Sequence, residues 1–89
     1  MNETQTTEDQ LRTAFERMAA NWPSEVVART SIEKFSGEMV SSKAMANYDS
    51  LGEGPEGRIK IGRKTGYLKE PLIQWLMARS KLVNPEIVR

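Results

Sequence analysis

The sequence predicts a mainly α fold carrying one small β-hairpin, and three local patterns predict it. Apolar residues recur at helical spacing between Leu11 and Trp22. Two capped helical segments then follow each other across a glycine between Thr30 and Gly52. From Arg58 the chain alternates basic and apolar residues, the pattern of a half-buried strand. With 89 residues there is room for one hydrophobic core and not two, so these parts belong to a single domain. Phe15, Trp22, Phe35, Tyr48, Tyr67 and Trp75 are its candidate anchors. The expected boundaries are a tail over 1–6, a domain over 7–83 and a second tail over 84–89.

The first helix is predicted over 7–22. Thr7 and Gln10 have capping-box spacing, and Leu11, Ala14, Phe15, Met18, Ala19 and Trp22 form a stripe that runs to Pro23. Arg12, Glu16 and Arg17 occupy the opposite, solvated face. The stripe reads as core, with a dimer surface as the alternative. From Ser24 to Arg29, Val26 and Val27 show no clear period, so that segment is extended or irregular.

A helix-turn-helix is expected over 30–52. Thr30 and Glu33 form a second capping box, Ile32 and Phe35 are apolar, and Gly37 is placed to end a short helix in the left-handed conformation. Ser41 is a good N-cap for the next helix, which runs to about Leu51 before Gly52 stops it. Met45, Tyr48 and Leu51 share one face of that helix; Lys43, Ala46, Asn47 and Ser50 share another. A helix, a glycine turn and a capped helix follow one another as they do in motifs whose second helix enters the DNA major groove. The second face suits that task. Lys43 seeks phosphate, Ala46 permits close approach, and Asn47 has the amide for a bidentate pair with adenine. Ser42 and Ser50 complete the candidate DNA-contacting set on this helix; a plain solvated polar face is the alternative.

The loop from Gly52 to Gly57 spells G-x-G-x-x-G, yet a dinucleotide fingerprint needs a strand before it and a helix after it. Here the predicted order is reversed, and Glu53 and Glu56 would repel a pyrophosphate. Asp49, Glu53 and Glu56 match no calcium-loop spacing and read as a solvated acidic surface. No metal or cofactor site is expected.

Residues 58–68 read as a hairpin or wing. Alternation puts Arg58 and Lys60 on one face and Ile59 and Ile61 on the other, with the isoleucines expected against the core. Gly62, Arg63 and Lys64 form the expected tip, and Tyr67 lies on the returning strand. Four bases (Arg58, Lys60, Arg63, Lys64) without an intervening acid make a positive projection suited to a phosphate backbone. A solvated edge strand guarded by lysines is the alternative. A last helix over 71–82 opens with Pro71 and uses Leu72, Ile73, Trp75, Leu76 and Leu82, with Arg79 and Lys81 near its end, before Asn84-Pro85 breaks it.

Composition narrows the function classes. The chain has no cysteine and no histidine, which removes disulfides, thiolate metal sites, the commonest general base and most nucleophilic triads. No ionisable pair is committed to a pocket by its spacing, so the expectation is a non-enzyme without a small-molecule substrate. The polar, acidic N-terminus and the lack of any long apolar run lead to an expectation of a cytoplasmic protein away from membranes. The net charge of +1 hides an asymmetry: residues through Val40 sum to −3 and those from Ser41 onward to +4. The candidate DNA-facing half is the positive one.

The stretch Thr30 to Lys81 resembles the AlpA-like and excisionase-like winged helix-turn-helix DNA-binding families of bacteria and phages, relatives of the MerR-type fold. Ser41-Ser42-Lys43-Ala44-Met45-Ala46-Asn47-Tyr48 resembles their recognition helix, and Arg58-Ile59-Lys60-Ile61-Gly62-Arg63-Lys64 their wing. Tyr67 and Pro71-Leu72-Ile73-Gln74-Trp75-Leu76 resemble the closing strand and helix. In this comparison the helix over 7–22 is an extra N-terminal element. The resemblance implies double-stranded DNA as partner, with a recombinase or a second copy of the chain as further partners. It also implies a role in site-specific recombination, prophage control or transcription regulation. A protein–protein interaction module with a solvated basic hairpin is the alternative function.

Overall fold

Helix α1, Thr7–Asn21, keeps Leu11, Phe15, Met18 and Ala19 half-buried, and Trp22, one residue past its end, continues the narrow stripe its spacing predicts. Ala14 differs: it sits at the margin of that stripe and is exposed. Strand β1, Val26–Ala28, resolves the segment that showed no period. The chain then makes a 3-10 turn, Arg29–Ser31, into the short helix α2, Ile32–Phe35. Helix α3 spans Ser42–Ser50, strands β2 and β3 span Arg58–Ile61 and Lys64–Leu68, and helix α4 spans Lys69–Ala78. The computed structural model describes residues 7–82. The expected tails, and the Asn84-Pro85 break, lie outside the described residues, as does the side chain of Thr7 in its capping box.

The strands form one antiparallel sheet in the order β1-β3-β2. Ile61 pairs with Lys64 across a two-residue turn, Gly62-Arg63, in which Gly62 takes a positive φ of 62°. Lys64 is thus already in the strand, one residue earlier than the expected tip. On the other side of β3, Val27 pairs with Tyr67 and Ala28 with Gly66. A Cβ on Gly66 would sit 2.9 Å from Val26 Cγ1 and 3.3 Å from the Val27 carbonyl, so the close approach of β1 depends on that glycine.

The register reverses one expectation about the sheet. Arg58 lies opposite Tyr67, and Tyr67 lies opposite Val27; both of the latter are fully buried. Arg58 and Lys60 therefore share the face turned toward the helices, while Ile59 and Ile61 lie on the outer face with Val26, Ala28 and Leu68. Ile61 is 72% exposed. The inner face is decided by Val27 and Tyr67, whose burial outweighs that of the two isoleucines near the hairpin tip.

The core consists of Val27, Ile32, Phe35, Met45, Tyr67, Leu72, Ile73 and Leu76, with Phe15, Met18 and Ala19 of α1, and Trp22 just beyond that helix, packed against it. The first helix is a structural wall of the domain. Each fully buried large apolar side chain is worth about 1.5–3 kcal/mol, so Ile32, Met45 and Leu72 are principal anchors. Trp22 meets Phe35 edge to face, with ring centroids 5.3 Å apart. The Lys69 ammonium donates to the Ala19 and Trp22 carbonyls at 3.0 and 3.1 Å, satisfying the C-terminal end of α1 from the start of α4.

Several local expectations need adjustment. Thr30 does not cap α2, because the chain enters it through the 3-10 turn and neither start has a side-chain cap. Leu51 is 69% exposed, since α3 ends at Ser50 and the backbone turns at Gly52 before that residue meets the core. Helix α4 begins two residues before Pro71 and ends at Ala78, which leaves Leu82 beyond it. Gly37 and Gly52 do take the left-handed conformation, with φ of 68° and 74°. Among the described residues, no helix is long and apolar enough to cross a membrane.

Candidate nucleic-acid interface

Helix α3 is held at both ends by carboxylates. Ser41 is its N-cap, accepting a hydrogen bond from the Ala44 amide at 3.0 Å. Glu33 of α2 reaches across the turn and accepts from the Ser42 amide at 2.8 Å and from the Ser42 hydroxyl at 3.0 Å. These bonds satisfy a free donor at the positive end of the helix. They also hold the Glu33 carboxyl below its ordinary pKa, the amide bond contributing most and the hydroxyl next.

At the other end, Asp49 enters a polar cluster shared with the sheet. Its side chain is only 5% exposed. The Arg29 guanidinium and the Tyr67 hydroxyl each donate to Oδ2 at 2.6 Å, and Arg29 Nε donates to the Tyr67 oxygen at 3.0 Å. Arg58 of β2 lies 3.5 Å from Oδ1. A Cβ on Gly54 would collide with the Asp49 carboxylate, so the Gly52–Gly57 loop folds tightly over it. Burial, followed by the Asp49 carboxylate, pushes the Tyr67 hydroxyl above its ordinary pKa, against the opposing pull of Arg29. The Tyr67 hydroxyl is also the largest cause raising Arg29, ahead of Asp49.

The reading of Asp49 as part of a solvated acidic surface is therefore corrected. Its carboxylate is hydrogen-bonded by Arg29 and Tyr67 and ion-paired with Arg58, while Glu53 and Glu56 remain exposed. Glu53 contributes its carbonyl, which accepts from the Trp75 indole at 2.9 Å and ties the loop to α4.

With Met45 buried, Asp49 turned to the sheet and Ala44 and Tyr48 half-buried toward α1 and α4, the remaining face of α3 is Lys43, Ala46, Asn47 and Ser50. Lys43, Asn47 and Ser50 are exposed and Ala46 half-exposed. Ser42, the other residue expected on this surface, is half-buried and engaged by Glu33.

The four wing bases do not project together. Arg58 and Lys60 lie on the sheet face that meets Asp49, Arg63 forms the turn, and Lys64 lies on the outer face beside Ile61. All four are exposed; Arg58 keeps 49% of its side chain accessible while near Asp49. The contacts of Arg58 and Tyr67 with Asp49 bring the base of the hairpin against the C-terminal half of α3.

Sequence reading missed Arg29, Glu33, Asp49 and Tyr67 as the residues that orient this surface. Glu33 carried a signal, since its capping-box spacing marked it as a helix cap, but it caps the helix after its own. Comparison with protein-family models, with curated proteins and with solved structures finds no match to this chain.

Proposed function

We propose that the chain is a winged helix-turn-helix domain that binds double-stranded DNA, with α3 in the major groove and the β2–β3 wing on flanking phosphates. The observation that carries this reading is the state of α3. Three of its sides are used by packing or by buried ion pairs, and the fourth presents Lys43, Asn47 and Ser50 with no intramolecular partner among the described residues. A helix fixed at both ends beside a basic hairpin has the rigidity that base recognition requires. The order α1, β1, α2, α3, β2, β3 and the resemblance of the stretch Thr30 to Lys81 to AlpA-like and excisionase-like regulators support the same reading. In it, α1 is an integral wall of the domain.

Contacts divide by role. Asn47, Ser50 and Lys43 read or approach base edges, while Arg63, Lys64, Lys60 and the free part of Arg58 position the duplex through phosphates. A selection of bound sequences from a random duplex pool, followed by titrations at several salt concentrations, tests the division. Replacing Arg63 and Lys64 by alanine is expected to weaken all sequences alike and to flatten the salt slope by about 0.9 for each phosphate no longer neutralised. Asn47→Ala should instead cost about 1–3 kcal/mol at a single base pair. Unaltered affinity in both variants refutes the assignment.

The outer sheet face favours a second reading. Ile61 and Leu68, 72% and 40% exposed, form apolar surface of the kind that protein partners cover. In that reading the hairpin is an interaction surface and its lysines keep the edge soluble. Absence of any mobility shift with random duplex at tens of micromolar protein and low salt decides for it, since non-specific DNA affinity should reach roughly 10⁻⁴ to 10⁻⁶ M.

A further inference from the structure

A groove of about 840 Å³ separates α1 from α3, with α4 contributing Leu76 to its floor. Phe15 and Met18 supply one wall and Val40 another, so most of the lining is apolar. Its polar end is different. The Arg79 guanidinium is held 4.6 Å from the Tyr48 ring centroid and 4.7 Å from that of Trp75, and the two rings meet edge to face at 5.1 Å. Lys81 lies two residues on and also lines the groove. Neither cation has an ion-pair partner among the described residues. The groove's acid, Glu38, belongs to the α2–α3 turn and not to the segment that carries the two bases.

We propose that this groove binds a small amphiphile with an apolar body and an anionic head, the body against Phe15, Met18 and Leu76 and the head at Arg79 and Lys81. Volume and lining match small-molecule sites, which run roughly 300–1,000 Å³ and combine apolar walls with a few placed polar groups. Charge sets the sign of the ligand. A guanidinium oriented by two rings keeps its planar donor fork available for a carboxylate, and aromatic stacking offers no substitute for that partner. Tyr48 and Ala44 line the groove from α3, whose adjoining face carries Lys43, Asn47 and Ser50, so an occupant presses on the helix proposed to read DNA. That consequence rests on the DNA-binding reading; ligand binding itself does not.

The test follows the two indole N–H signals of the full chain by NMR during titration with octanoate, 1-octanol and octylammonium. Trp75 lines the groove, whereas the Trp22 indole is bonded to the Val26 carbonyl at 3.0 Å outside it. Octanoate is expected to move the Trp75 signal saturably, to leave Trp22 in place, and to bind at least about tenfold tighter than octylammonium. The R79Q/K81Q double variant should bring the two probes to within about threefold of each other. Met39→Glu adds an acid to the rim at a residue 84% exposed, sparing the fold, and should weaken octanoate by about threefold or more. Equal affinities for all three probes, or a motionless Trp75 signal, overturn the proposal. So does a Trp75 shift that tracks protein concentration alone with a dimer in sedimentation, because a second copy then fills the groove. Octanoate binding in a chain that binds no duplex overturns the DNA reading and leaves the groove assignment standing.

Discussion

The two ends of helix α3 are held by the same chemistry in opposite surroundings. At the N-terminal end, Glu33 lies near solvent and bonds to Ser42 of the helix itself. At the C-terminal end, Asp49 is nearly inaccessible, accepts hydrogen bonds from Arg29 and Tyr67 and pairs ionically with Arg58. The first arrangement satisfies free donors of a helix terminus in high dielectric, where a broken bond is readily replaced by water. The second removes a carboxylate from water and depends on every partner being present. Together they fix the pitch of one exposed polar face, the Glu33 end setting where the helix starts and the Asp49 end setting how it meets the hairpin.

The largest expected effect follows from the buried end. Asp49→Ala leaves Arg29 and the Tyr67 hydroxyl without their shared acceptor. Breaking one partner of a buried pair costs about 3–5 kcal/mol, and the 26% exposure of Arg29 lets water recover part of it, so a loss of about 2–4 kcal/mol is expected. Urea unfolding at neutral pH measures it. A loss near zero would erase the contrast between the two ends.

This contrast also explains which parts of the molecule were legible from the residues. Ser41 as N-cap, Gly52 as stop and a hairpin tip at Gly62 were readable because each depends on neighbours a few positions away, though Lys64 belongs to the strand and not to the tip. Strand β1 was not, because its identity comes from pairing Val26 with Leu68, over forty positions on. Alternation correctly put Arg58 and Lys60 on one face and Ile59 and Ile61 on the other, but alternation does not say which face is inside. Tyr67 made that choice, through burial and its bonds to Asp49 and Arg29, and those partners lie 18 and 38 residues from it. The exposed face of α3 was legible for the opposite reason: Lys43, Asn47 and Ser50 need only helical spacing to lie together.

Tyr67 sharpens the comparison from the sheet side. Tyr67→Phe removes a hydroxyl bonded to two charged groups, worth about 1.5–3 kcal/mol, but keeps the ring in the core. The hydroxyl's raised pKa adds a pH signature. An acid whose folded pKa lies above its unfolded value contributes stability that is complete below the unfolded pKa, about 10 for tyrosine, and is lost as pH rises toward the folded one. Wild-type stability should therefore fall with rising pH in that alkaline window, and the phenylalanine variant should lack that component. Parallel alkaline unfolding curves for the two chains would remove Tyr67 from the account.

The smallest effect belongs to Glu33, and its pH window lies at the other extreme. Its folded pKa is depressed, so the unfolded chain takes up the proton first as pH falls. The charged cap thus contributes fully above the ordinary glutamate pKa of about 4.3 and is lost as pH drops through the lower, folded value. Glu33→Gln keeps an oxygen that accepts from Ser42 but has no charge to lose. The variant should be slightly less stable than wild type at neutral pH, and the two should converge below the folded pKa, as read from urea midpoints across the acid range. Because water replaces a half-buried cap more easily than a nearly inaccessible acceptor, the neutral-pH difference must be smaller than that of Asp49→Ala. If it is larger, the start of α3 is the more rigid end, and the helix is aimed from Glu33 instead of from the hairpin.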